Sequence, residues 1–120
     1  MATILIIDDE EIIRVLLRSA LEEAGYEVTE AANGREGLEL YRHRQTDLVI
    51  TDILMPELNG LDMLLELTRE FLDAKVIAIS GAGGEKNVLD VAKLLGARQT
   101  FPKPFSLSLL LGAVRYELEH

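Results

Sequence analysis

Short apolar runs and apolar stripes take turns along this chain. Ile4-Leu5-Ile6-Ile7 is a continuous branched run, too short for a helix and apolar on both faces. It predicts a parallel strand covered on two sides. Over residues 12–24 the period becomes helical, with Ile13, Leu16, Leu17, Ala20, Leu21 and Ala24 on one stripe and Gly25 as the C-terminal stop. Residues 26–30 alternate, which predicts an edge strand. Asn33 can cap a second helix carrying Leu38, Leu40 and Tyr41. Residues 47–52 predict a third strand ending in Asp52. Residues 61–71 predict a helix with Leu61, Leu64, Leu65 and Leu67 near one face. Residues 75–79 predict a buried fourth strand ending at Ser80. A helix from about Glu85 to Gly96, a short strand over 98–101 and a last helix over 107–117 complete the pattern. The last helix has Leu107, Leu110, Leu111 and Val114 on its stripe. Five strands alternating with five helices predict an α/β fold, a parallel sheet with helices on both faces.

The 120 residues suffice for one domain with a sizeable core, and the 48% hydrophobic content can drive its burial. Twelve basic against twenty-one acidic residues give a net charge of -9, which argues against direct nucleic-acid binding. Cysteine is absent, excluding disulfides and thiolate metal sites. No apolar run approaches a membrane span and no signal-peptide pattern opens the chain, so a soluble cytoplasmic domain is expected. Leu118-Glu119-His120 looks like the start of a tag, so the domain is drawn as 1–117, with 118–120 as a cloning remnant.

The informative positions are the ends of the apolar strands. The first ends in Asp8-Asp9, the third in Asp52 and the fourth in Ser80, and the fifth runs into Lys103. In an open α/β sheet, sites form outside the carboxyl ends of the strands. Four pieces of chain therefore bring three carboxylates, a hydroxyl and an ammonium to one edge. Three clustered carboxylates repel one another, and a hard divalent cation relieves this. Mg²⁺ suits the edge, because it takes few protein ligands and leaves room for a phosphate oxygen. Each residue alone reads as a helix cap, a turn residue or a solvated charge. Their joint occurrence on successive strand ends reads as a site.

Together these residues resemble the receiver domain of bacterial two-component response regulators, CheY-like. The motifs are Ile6-Ile7-Asp8-Asp9-Glu10, the stretch from Asp47 to Gly60, Ser80, and Phe101-Pro102-Lys103-Pro104-Phe105, and the likeness runs from about Thr3 to Glu117. It implies a doubly wound five-stranded parallel sheet, flavodoxin-like strand order 2-1-3-4-5, with five surrounding helices. It implies that Asp52 accepts a phosphoryl group from a sensor histidine kinase or histidine phosphotransfer protein. Asp9, Asp52 and the backbone carbonyl of Leu54 would bind Mg²⁺, with Asp8 helping through water. Lys103 would pair with Asp52 at rest, Ser80 would donate to a phosphoryl oxygen and Phe101 would report the state. The bond before Pro104 would be cis. An output domain or effector protein would read the change near the last strand and the last two helices. A carboxylate can act as the nucleophile, and Mg²⁺ with Lys103 would supply the charge neutralisation that phosphoryl transfer needs.

The sequence also departs from the family. Gly81 stands where alanine is usual, and the Gly83-Gly84 pair behind it predicts a mobile loop with a small gap between the two states. Leu54 is apolar near the path of a hydrolytic water, which implies altered autodephosphorylation. Ile12 and Val15 lie off the first helical stripe. They extend the core face or form a docking surface for a phosphodonor. Leu109 and Tyr116 are off-stripe on the last helix, where a homodimer or effector face is one reading. The main rival is an Mg²⁺-dependent aspartyl-phosphate hydrolase. Its acids are commonly spaced as D-x-D, whereas these are adjacent. A flavodoxin-like cofactor binder needs anion-friendly loops, and this edge is acidic. A pseudo-receiver would lack the complete acid set.

Overall fold

The pattern folds as β1 (Thr3–Ile7), α1 (Glu11–Glu23), β2 (Glu27–Ala31), α2 (Gly34–His43), β3 (Leu48–Asp52), α3 (Gly60–Glu70), β4 (Val76–Ser80), α4 (Val88–Leu94), β5 (Gln99–Pro102) and α5 (Leu107–Glu119). The structure is a computed structural model, and it describes residues 1–53, 60–81 and 88–120. The Leu54 carbonyl, the glycine pair 83–84 and the predicted helix start at Glu85 lie outside the described residues. The strands form one parallel sheet in the order β2-β1-β3-β4-β5, so β2 is an edge.

Alternation along each strand divides the core in two. Leu5, Ile7, Val49, Val76 and Ala78 face α2, α3 and α4, where they meet Leu38, Tyr41, Met63, Leu64, Leu67 and Ala92. Ile4, Ile6, Leu48, Ile50, Ile77 and Ile79 face α1 and α5 and meet Leu17, Leu21, Leu110 and Val114. Each fully buried leucine or isoleucine contributes about 1.5–3 kcal/mol. The doubly covered sheet is what keeps the strand ends in register.

Element boundaries differ from the sequence reading for local reasons. Gly25 has φ +98°, and the N–H groups of Gly25 and Tyr26 donate to the carbonyls of Glu22 and Leu21. Tyr26 is thus used in closing α1, and β2 starts one residue later. Asp47 turns back to accept from the Thr3 N–H at 2.8 Å, so β3 begins at Leu48. Gly60 opens α3 hard against β3. A Cβ there would strike the backbone of Ile53, whose carbonyl also accepts from the Gly60 N–H at 3.0 Å. Asn33 caps α2 as expected, accepting from the Glu36 N–H at 2.8 Å. Helix α5 runs to Glu119, with Leu118 packed against the α1–α5 layer.

The predicted stripes were too broad on α1 and α3. Leu16 and Ala24 are exposed, Leu65 is exposed, and Met63 is buried in its place. Ile12 is 75% exposed and Val15 is also exposed, which removes the reading that they widen the core face. Among the described residues, no helix is long and apolar enough to cross a membrane.

Candidate functional site

The strand ends converge as the fold demands. β1 and β3 are neighbours, as are β3 and β4, so Asp8, Asp52 and Ser80 follow three adjacent strands at one edge. Asp8 is 1% exposed, Asp52 3% and Ser80 4%. Lys103 is delivered by the turn after β5, and its N–H donates to the Ser80 carbonyl at 2.6 Å. The Lys103–Pro104 peptide bond is cis.

The acids gather around the lysine. Asp8, Asp9, Glu10 and Asp52 each offer a carboxylate oxygen, and these lie within 4.8 Å of one another. The Lys103 Nζ donates to Glu10 Oε1 at 2.8 Å, Asp8 Oδ2 at 2.9 Å and Asp52 Oδ2 at 3.2 Å. The sequence pointed to Asp52 as the resting partner of Lys103, yet the two shorter bonds go to acids of the β1–α1 turn. Asp9 is exposed at the mouth of the cluster. Ser80 Oγ is buried without a hydrogen-bond partner among the described residues. Phe101 lies on β5 opposite Ile79 and packs half-buried against the α1–α5 layer.

Electrostatics follow from crowding. Burial pushes the Asp8 carboxyl above its ordinary value, more than the Glu10 N–H and Lys103 pull it down. Burial opposes the charge on Lys103, but bonds from Glu10 and Asp8 and the field of Asp52 outweigh it. Its pKa therefore lies above the usual lysine value and the ammonium stays charged.

Two residues that sequence reasoning left out help to shape the site. Glu10 closes the first motif but was given no role in the site, yet it bonds Lys103. Its position as a third consecutive acid after β1 was the available signal. Arg14, one turn into α1, donates from Nη1 to the Asp8 carbonyl at 2.7 Å and from Nε to Glu30 Oε1 at 3.1 Å. It ties the acidic turn to α1 and β2, and no motif in the sequence pointed to it. Beside Lys103, a cleft of about 490 Å³ runs between α1 and the start of α5, lined by Ile13, Leu16, Pro104, Phe105 and Leu107.

Comparison with known proteins gives the same reading over nearly the whole chain. The response regulator receiver domain family matches residues 4–115. The chemotaxis protein CheY of Thermotoga maritima is 39% identical over 112 residues, 92% of each chain. A response regulator receiver domain protein from Clostridium thermocellum superposes with a TM-score of 0.91 at 33% identity, covering 99% of this chain and 95% of that one. The response regulator TrrA from Thermotoga maritima, solved in complex with Mg(2+)-BeF, superposes with a TM-score of 0.87 at 35% identity, covering 98% of this chain and 99% of that one. The acidic cluster here is typical of a receiver-domain Mg²⁺ site. With fold, strand-end acids and relatives in agreement, the chain belongs to the response regulator receiver domain family, CheY-like signalling switches of two-component systems rather than multiple-turnover enzymes.

Proposed function

We propose that this domain takes a phosphoryl group onto Asp52 from the phosphohistidine of a sensor histidine kinase or histidine phosphotransfer protein. One observation carries the reading: buried Asp52 meets the Lys103 ammonium at an edge that also holds the buried Ser80 hydroxyl, which has no hydrogen-bond partner among the described residues. An Asp52 carboxylate oxygen attacks phosphorus in line. The phosphorus–nitrogen bond breaks as the phosphorus–oxygen bond forms, and the leaving imidazole keeps the electron pair. Lys103 neutralises charge on the phosphoryl oxygens, and Ser80 Oγ donates to one of them.

The crowded carboxylates fit a hard divalent cation, since three of the four share the one Lys103 ammonium and repel one another. Asp9, Asp52 and the Leu54 carbonyl would hold Mg²⁺, with Asp8 acting through water. When bound, the ion supplies charge neutralisation and orientation to the phosphoryl group. The new charge at Asp52 draws Ser80 toward it, and Phe101 follows into the space released. That change passes to the surface of β5, α4 and α5, where an output domain or effector protein reads it. The exposed Ile12 and Val15, beside the apolar cleft at Lys103, support docking of the phosphodonor on α1. The exposed Leu109 and Tyr116 support a homodimer or effector face on α5.

Incubation with acetyl phosphate and Mg²⁺, followed by intact-mass analysis, tests the reading. The wild-type chain gains one phosphoryl group and Asp52→Ala gains none. A gain in both proteins, or in neither, overturns the assignment.

A further inference from the structure

Lys103 has more partners than the phosphoryl transfer needs. An ammonium carries three N–H donors. Here they go to Glu10, Asp8 and Asp52, and the bond to the acceptor Asp52 is the longest of the three. Asp8 is enclosed, and its other oxygen accepts from the Glu10 N–H at 2.8 Å. Glu10 differs from both. Its side chain is 54% exposed, and its carboxylate has no other hydrogen bond among the described residues. Its backbone is fixed, because its carbonyl accepts the first helical bonds of α1 from Ile13 and Arg14. The carboxylate therefore swings from a rigid root at the rim of the site, where it also lines the cleft beside Lys103.

We infer that Glu10 is a positioning residue. It draws the Lys103 ammonium toward the rim, and release of this bond frees a donor for the arriving phosphoryl group. The inference rests on the reading of Asp52 as phosphoryl acceptor. When phosphoryl oxygens enter, Lys103 must give up one acceptor. The bond to Asp8 lies inside the site, whereas the bond to Glu10 opens into water, which rehydrates the carboxylate. With its acid partner in water, this bond is the easiest of the three to break in each cycle, so Glu10 acts as a brake and not as a block.

Glu10→Gln keeps the shape and removes the charge. Glu11→Gln is the control, since it removes a neighbouring charge that makes no bond to Lys103. Initial rates of phosphorylation by acetyl phosphate, read by intact mass at saturating Mg²⁺, should rise about three- to fivefold in Glu10→Gln and change less than about twofold in Glu11→Gln. Calorimetric titration with Mg²⁺ should give affinities for all three proteins within about threefold of one another, as for a residue outside the metal's ligands. A Glu10→Gln rate equal to or below wild type, or matched by Glu11→Gln, overturns the inference. So does a larger loss of Mg²⁺ affinity in Glu10→Gln, which would make Glu10 a metal ligand. A wild-type chain that accepts no phosphoryl group removes the reading of Asp52 itself, and the brake with it. Failure of the brake alone leaves wild-type phosphorylation intact.

Discussion

The two ends of the sheet treat their polar residues in opposite ways. At the amino-terminal end, acids meet donors of their own. Asp47 accepts from both the N–H and the hydroxyl of Thr3. Buried Glu117 on α5 accepts from Gln99 Nε2 at 2.9 Å and has Arg98 at 3.8 Å, while Lys75 Nζ donates to the Glu117 carbonyl at 2.6 Å. At the carboxyl-terminal end, three acids share the single ammonium of Lys103, and a buried hydroxyl has no partner among the described residues. Satisfied polar groups hold strands and helices together. Crowded and unsatisfied ones are kept at a cost in stability where a ligand is to complete them.

That contrast predicts opposite signs for removing an acid at the two ends. Glu117→Ala leaves the Gln99 amide without its acceptor and takes away the charge facing Arg98. A loss of about 2 kcal/mol is expected by urea unfolding. A loss near zero would mean that the amino-terminal network is ornamental.

Asp8→Asn should act the other way, in EDTA, with a gain of about 1 kcal/mol at pH 7. The sign follows from the raised pKa of Asp8 in the folded chain. The folded state holds the Asp8 proton more tightly than the unfolded state does. Stability therefore falls as pH rises from the ordinary value of 3.8 through the higher folded value. Above that window the ionised carboxylate is a constant penalty, and asparagine escapes it. Below about pH 3.8 the acid is neutral in both states and the advantage should vanish. Saturating Mg²⁺ should shrink the difference at pH 7 by stabilising the wild type more than the variant. A variant less stable than wild type at pH 7 in EDTA would place Asp8 with the holding residues.

The carboxyl-terminal end was the more legible in sequence, for a physical reason. Asp8, Asp52 and Ser80 each terminate an apolar run, and a parallel sheet places such ends side by side. The alternation of strands and helices likewise fixed the class of fold. The Glu117 network was not legible. Glutamate at that point on a terminal helix looks like solvent-facing charge, and only the docking of α5 against β4 and β5 brings Arg98, Gln99 and Lys75 to it. Arg14 was hidden in the same way, because its target in the acidic turn is a backbone carbonyl, which leaves no mark in the side-chain pattern. Met63 replaced Leu65 in the core because a leucine-rich stretch allows more than one apolar stripe, and the packed face was chosen by the neighbouring layer.

Ser80 gives the smallest expected change and the sharpest use of the comparison. Its hydroxyl is buried but makes no hydrogen bond among the described residues, so Ser80→Ala removes a desolvated group and no bond. Thermal unfolding without ligand should show a change within about 0.5 kcal/mol, or a slight gain. Addition of Mg²⁺ with beryllofluoride, a stable stand-in for a phosphoryl group on a carboxylate, should then separate the two proteins. If Ser80 donates to the phosphoryl group as proposed, wild type gains that bond, and its melting temperature should rise by about 2–4 °C more than that of the variant, the shift expected for one charge-assisted hydrogen bond in a domain of this size. A cost above about 1 kcal/mol in the unliganded variant would mean that Ser80 already has a partner at rest. The two ends of the sheet would then differ in charge alone, and no longer in whether their polar groups are satisfied.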